Sequence, residues 1–267
     1  MGYGISVLCV ISTLNLPSAF PHQATLVFTD VDETLTWQGR LPVETFQALF
    51  ALQQSGIRVV PVTGACAGWC ECMLRTWPID SIIGENGAFY IDRDKTGKLN
   101  YTFALPQAER EANKHQLLQL QQNVLQQFPI AQLTTDQSFR LTDMAFDIGQ
   151  DFQMERSAAQ RIAEFCRAAG ANAKVGPIHI NVWLGQYTKA STSLDWLSHH
   201  NVAYENTVFC GDSPNDDSMF ASFPITIGVA NVEPFLDEIE KPPTYITNRP
   251  GGFGFADLAA SLLHKAT

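Results

Sequence analysis

Apolar residues follow two rhythms along the chain, and the change between them divides it. Leu26-Val27-Phe28, Ile57 to Val62 and Thr207 to Cys210 are short, nearly unbroken apolar runs, the pattern of strands buried on both faces. Between the first two, Leu41 to Gln54 carries Pro42 near its first turn and Phe46, Leu49, Phe50 and Leu52 at helical spacing, with Ser55-Gly56 as the stop. Strand, helix, strand predicts a parallel sheet. A helix over about Cys66 to Trp77 and a third strand, from Ile79 to the turn Gly84-Glu85-Asn86-Gly87, continue the pattern. The rhythm then changes. Phe89-Tyr90-Ile91 and Tyr101-Thr102-Phe103, joined by a polar turn, read as an antiparallel hairpin. A Gln-rich helix over Gln107 to Gln127 follows, then a strand from Ser138-Leu141 through Ile148 and a helix over Glu155 to Ala169. Strands at Lys174-Val175 and His179 to Trp183 close this module. The first pattern resumes with a helix from Lys189 to about His200, the strand at Thr207, a helix to Phe220 and a strand over Ile225 to Asn231. A helix over Val232 to Ile239, a strand at Thr244 to Ile246 and a helix over Phe255 to His264 complete the chain. The expected fold is α/β: a parallel-sheet core, residues 24–88 and 185–267, interrupted by an inserted α+β cap, residues 89–184. Residues 1–23 read as a loosely attached extension.

Composition narrows the function more than the fold. With 45% hydrophobic residues in 267, the chain can bury a sizeable core. A formal charge of −10, with no basic run, excludes a nucleic-acid or anionic-membrane surface, and an anionic substrate would need a local cation. The apolar patch Ile5 to Ile11 is too short to span a bilayer, and no Lys or Arg precedes Arg40, so a secretory signal is not favoured. Cys9, Cys66, Cys70, Cys72, Cys166 and Cys210 show no zinc spacing and read as reduced thiols of a cytoplasmic protein.

The chemistry lies where the apolar runs end. Asp30 and Asp32 close the first strand, and extended alternation puts both on one side, an arrangement that repels itself unless a cation or proton intervenes. Such a pair suits a hard cation such as Mg²⁺. Thr63-Gly64 ends the second strand, offering a hydroxyl and free backbone N–H groups to an anion. Gly211-Asp212-Ser213-Pro214-Asn215-Asp216-Asp217 ends a third, with Lys189 just upstream. In parallel sheets ligands bind beyond the carboxyl ends of the strands, so these residues converge on one edge. Together they provide a carboxylate able to attack phosphorus, a second carboxylate for proton transfer, and cations for the equatorial oxygens.

These four stretches resemble the signature motifs of the haloacid dehalogenase (HAD) superfamily: Asp30-Val31-Asp32-Glu33-Thr34, Val62-Thr63-Gly64, Lys189, and Gly211 to Asp216. The size of the insert and the Gly84 to Ala88 turn resemble subfamily IIB, the Cof-like and sucrose-phosphate phosphatase-like members, which also include phosphomannomutases. The resemblance implies that Asp30 is the nucleophile and Asp32 the general acid/base. Mg²⁺ would be held by Asp30, Asp32 through its backbone carbonyl, and Asp212. Asp216 would support the metal shell or orient Lys189. Thr63, Gly64, Lys189 and Asn215 would hold the phosphate. Two departures bear on the substrate: Glu33 stands where the family most often has Gly, its side chain expected to point toward the cap, and Ala65 stands where many members carry Arg. In the cap, Arg140 is the candidate substrate contact, while His179 and Asn181 read as strand residues facing solvent. Of the tryptophans, Trp37 is the candidate to line the cleft. The expected activity is Mg²⁺-dependent hydrolysis of a small phosphorylated metabolite, a sugar phosphate, through an aspartyl-phosphate. A phosphomutase, or a silent phospho-ligand binding module, is the alternative.

Overall fold

The computed structural model describes residues 13–20 and 23–264; the apolar patch Ile5 to Ile11 lies outside them. Six parallel strands form the central sheet: β1 (Leu14–Asn15), β2 (Leu26–Thr29), β3 (Arg58–Pro61), β10 (Thr207–Gly211), β11 (Ile225–Gly228) and β12 (Tyr245–Ile246), in the order β1-β12-β11-β10-β2-β3. Each short apolar run serves two faces. Leu26 and Phe28 pack with Val60, Phe209, Trp196 and Phe220, whereas Val27 packs with Val59, Val208, Leu49, Leu74 and Phe255. Helices α1 (Val43–Gln54), α2 (Ala67–Thr76) and α7 (Gly251–Leu263) therefore cover one face, and α5 (Lys189–His199) and α6 (Asp217–Ser222) the other. The chain runs outward from β2 in one direction through β3 and in the other through β10, β11 and β12, so the topological switch lies between β2 and β10. Asp30 and Asp212 follow those two strands.

Beyond β3, β4 (Ser81–Gly84), β5 (Phe89–Arg93) and β6 (Leu99–Phe103) make an antiparallel sheet, with Phe89 opposite Phe103 as the hairpin predicts. Its residues Phe89 and Ile91 join the same apolar cluster as Val27. The following α3 (Gln107–Gln127), β7 (Asp143–Asp147), α4 (Arg156–Ala168), β8 (Asn172–Val175) and β9 (His179–Trp183) have a core of their own, built on Val124, Phe146, Ile162, Ile180 and Val182. β9 is the middle strand of this second antiparallel sheet. Among the described residues, no helix is long and apolar enough to cross a membrane.

Several local expectations are corrected. Residues 138–141 are not strand: a turn covers Gln137–Phe139 and β7 begins only at Asp143. The strand expected to reach Asn231 ends at Gly228, and tight 3₁₀ turns, not an α-helix, cover Ala230–Glu238, where Pro234 removes a backbone donor. On α1 the buried positions are Thr45, Ala48, Leu49 and Leu52, leaving Phe50 exposed. The described part of the N-terminal segment is tied down. Leu14 and Asn15 pair with Tyr245 and Ile246, Ser261 Oγ donates to the carbonyl of Pro17, and Phe20 is buried against Tyr245.

Candidate active site

The ends of β2 and β10 lie side by side because the two strands pair in register, Phe28 with Phe209 and Thr29 with Cys210. The Asp30 N–H continues that ladder, donating to the carbonyl of Cys210. Asp30, Asp212 and Asp216 consequently meet, each buried and offering an oxygen within 4.8 Å of the others. Lys189 opens α5, where a cation is unfavourable unless an anion faces it. Its ammonium donates to Asp30 Oδ1 at 2.6 Å and to Asp216 Oδ1 at 2.7 Å. The other Asp216 oxygen accepts the Asp212 N–H, so this carboxylate fixes both the lysine and the loop. It lies directly on the Gly211 α-carbon: a Cβ there would come within 2.5 Å of Asp216 Oδ2. Asp212 in turn accepts from Thr34 Oγ1 and from Asn231 Nδ2, which also ties the Glu33 carbonyl.

One lysine faces three carboxylates. Burial, followed by repulsion from Asp216, pushes the Asp30 carboxyl up to about 8 against the pull of Lys189. Asp212 is driven well above the usual range by burial, Asp30 and Asp216. Burial works against the charge on Lys189, but Asp216 and Asp30 outweigh it and raise its affinity for the proton. Convergent buried oxygens with unbalanced negative charge fit a hard divalent cation, which would relieve the repulsion that now lifts both carboxyls. The Asp32 side chain stands outside that triad. It borders a cavity of about 500 Å³ instead, and burial raises its carboxyl while Lys189 and Arg140 oppose.

Thr63 is buried at the end of the second strand, and its Oγ1 accepts the Ala65 N–H in a tight turn. Gly64 has no room for a side chain, since a Cβ would come within 2.9 Å of Asn181 Oδ1 and 3.1 Å of Asn86 Nδ2. Asn215 accepts from Ser213 Oγ and borders a second cavity, about 280 Å³, with Lys189 and Asn86. Asn86 is a residue the sequence reading missed. It is buried with φ +58°, a conformation Asn tolerates better than most, and among the described residues its Nδ2 has no hydrogen-bond partner. The signal in the sequence was Asn before Gly at a strand end.

Cap and core meet through buried polar groups. Arg140 Nη1 donates to both Asp143 oxygens at 3.0 and 3.1 Å and to the Gly64 carbonyl at 3.0 Å, and Nε donates to Asp136. Asn181 reaches the same Gly64 carbonyl and Asp143. His179 and Asn181 are thus buried rather than solvent-facing, because the polar face of β9 is turned onto the core. Glu85 is the second missed residue. Its buried carboxylate accepts the N–H groups of Ala67, Leu141 and Thr142 and the Thr142 hydroxyl. Glu33 does not reach toward the cap; with φ +59° it folds back to accept the Gly39 N–H. Trp37 packs against Gly251, while Trp69 and Trp77 line the larger cavity. Cys66 and Cys70 are buried thiols, and burial pushes Cys66 up to about 11.

The fold recurs in proteins of known structure. A protein from Thermoplasma acidophilum superposes with a TM-score of 0.70 at 17% identity, covering 91% of this chain and 100% of its own. The sucrose-phosphatase of Synechocystis, solved with sucrose and phosphate, gives 0.64 at 15% identity, covering 90% and 98%. The HAD subclass IIB sugar phosphatase BT4131 gives 0.63 at 16% identity, again covering 90% and 98%. No curated protein matches the chain in sequence. The family model described as haloacid dehalogenase-like hydrolase matches residues 100–249, more than half of the sequence, and the chain belongs to that family.

Proposed function

We propose that this hydrolase is a Mg²⁺-dependent phosphatase acting on a small phosphomonoester of the sugar-phosphate kind through an aspartyl-phosphate. The observation that carries the reading is the Asp30 carboxylate, held by Lys189 at 2.6 Å inside a buried triad with Asp212 and Asp216. The names of the sucrose-phosphatase and the sugar phosphatase BT4131 support the substrate class. Asp30, Asp212 and the backbone carbonyl of Asp32 would hold Mg²⁺, with Asp216 behind them, and the bound ion would neutralise charge on the phosphoryl oxygens. Asp30 attacks phosphorus while the ester P–O bond breaks, and Asp32 gives its proton to the departing alkoxide. Water then attacks the acyl-phosphate, losing its proton to Asp32 and releasing inorganic phosphate with Asp30 regenerated. Lys189, the Thr63 hydroxyl, the backbone after Gly64 and the amides of Asn215 and Asn86 grip the phosphoryl oxygens. Arg140, matched by Asp136 and Asp143, serves the seam between cap and core.

The test is turnover of a phosphomonoester panel with and without Mg²⁺. Hydrolysis should require the ion, and Asp30→Asn should abolish it while leaving the circular dichroism spectrum intact. Turnover that survives in Asp30→Asn would refute the assignment of the nucleophile.

A further inference from the structure

A general acid must touch the oxygen it protonates, so the leaving group of any phosphoester cleaved at Asp30 lies on the Asp32 side. The cavity there, about 500 Å³, is walled from α2 by Trp69, Met73 and Trp77 and roofed by the cap residues Gln150, Ile178 and His179. Its ionisable lining is one-sided. Asp32, Glu33 and Asp136 supply carboxyl groups, and among the described residues no lysine or arginine lines it. Ala65 contributes a methyl group to the same wall.

The nearest cation in the cap does not change this balance. Arg140 is buried, and its guanidinium is taken up by Asp136, Asp143 and the Gly64 carbonyl. Burial is the largest influence on the Asp136 carboxyl and disfavours its charge, but Arg140 and the other neighbours together outweigh burial and hold the carboxyl below its ordinary value. His179 adds no positive charge near neutral pH, because burial and Arg140 push it down to about 4, and its Nε2 is 2.8 Å from Gln150 Oε1. The cavity therefore offers flat apolar surface and hydrogen-bonding groups, with negative charge at its edges.

Resting on the phosphatase reading, we propose that the leaving group is a ring-bearing alcohol with no negative charge of its own, stacked on the Trp69–Trp77 wall, and that phosphoesters carrying a second anionic group are rejected. A second carboxylate or phosphate in this cavity would be desolvated beside like charges with no partner cation, the arrangement by which binding sites exclude a competitor. An uncharged ring buries its apolar face on indole, while its hydroxyls reach Gln150, Glu33 and Asp136.

Matched substrate pairs test this directly. Glucose 1-phosphate is compared with glucuronic acid 1-phosphate, which keeps the pyranose ring and adds a carboxylate, and fructose 6-phosphate with fructose 1,6-bisphosphate. Acetyl phosphate serves as a reference whose leaving group needs little of the cavity. The member of each pair with the uncharged leaving group should show a kcat/KM at least about tenfold higher, the size of one unfavourable charge contact of about 1.4 kcal/mol. Glu33→Lys should narrow the ratio by raising kcat/KM for the doubly anionic member, and the near-isosteric Glu33→Gln should move it the same way by less. A purely structural role for Glu33 would lower both members equally and leave the ratio unmoved, which would overturn the proposal. Equal kcat/KM within the pairs would overturn it while leaving the phosphatase reading standing. No turnover of any phosphomonoester, whether or not acetyl phosphate is cleaved, would overturn both.

Discussion

Glu85 is the residue whose removal should cost the fold most for its size. Its carboxylate joins three segments: the first turn of α2 through Ala67, the turn at the end of β4 on which it sits, and the cap through Leu141 and Thr142. Four donors lie within 3.1 Å of it, and it is fully buried. Glu85→Ala strips all four of their acceptor. A buried donor left unpaired costs about 1–3 kcal/mol; Ala67 takes that range, and the three partly buried donors of Leu141 and Thr142 fall at its low end, so the gross loss is roughly 4–8 kcal/mol. Part of that is returned. Burial, then repulsion from Asp143, raises the carboxyl from its ordinary 4.5 to about 7. That rise corresponds to about 3 kcal/mol of charge burial no longer needed once the side chain is gone. The net expectation at pH 8, where the carboxylate is ionised, is a loss of about 1–5 kcal/mol in urea unfolding. Because the orphaned donors belong to the seam, amide exchange should accelerate at Leu141 and Thr142 more than at Phe209 in the centre of the parallel sheet. A loss below about 1 kcal/mol with Leu141 and Thr142 still protected would refute the idea that this carboxylate ties the cap to the core.

The remaining predictions use single side chains at the same seam and site. His179 is depressed from 6.5 to about 4, chiefly by burial, so the folded chain binds fewer protons than the unfolded one between those values. Its contribution is complete above about pH 6.5 and is lost as pH falls toward 4, amounting to about 3 kcal/mol; His179→Gln should flatten that limb of a stability–pH curve, and an unchanged limb would count against it. Asn86→Gly keeps the φ of +58° without strain and removes the unpaired amide. Loss of one hydrogen bond to a charged ligand predicts a rise of about tenfold or more in the inhibition constant of inorganic phosphate, and an unaltered constant would remove Asn86 from the phosphate grip.

How much of this could be read from the sequence depends on where each residue finds its partner. The triad was legible because Asp30 and Asp212 each end an apolar run, with Asp216 in the same loop as Asp212, and a parallel sheet brings such strand ends to one edge whatever the details of packing. Most local elements followed from their own periodicity, down to α3 at Gln107–Gln127, the exceptions being the turn at Gln137–Phe139 and the 3₁₀ turns over Ala230–Glu238. The misread site residues find their partners in another module. Trp37 is near Asp32 in sequence, which predicts a cleft residue, yet the chain turns it onto α7; Trp69 reaches the cavity from α2, and no local pattern distinguishes it from a core tryptophan.

β9 is the instructive case. Its sequence, His179-Ile180-Asn181-Val182-Trp183, alternates cleanly, with Ile180 and Val182 in the core of the cap. Read alone, that alternation hands His179 and Asn181 to water. Two facts argue otherwise. Trp183 shares their face, and helices α3 and α4 pack on the opposite one, with Ile180 and Val182. An insert with helices on one side of its sheet leaves the other side to be covered by the domain that carries it, so the polar residues there are the ones that bond across the seam. The Asn181 contact to Gly64, 117 positions away, is that bond.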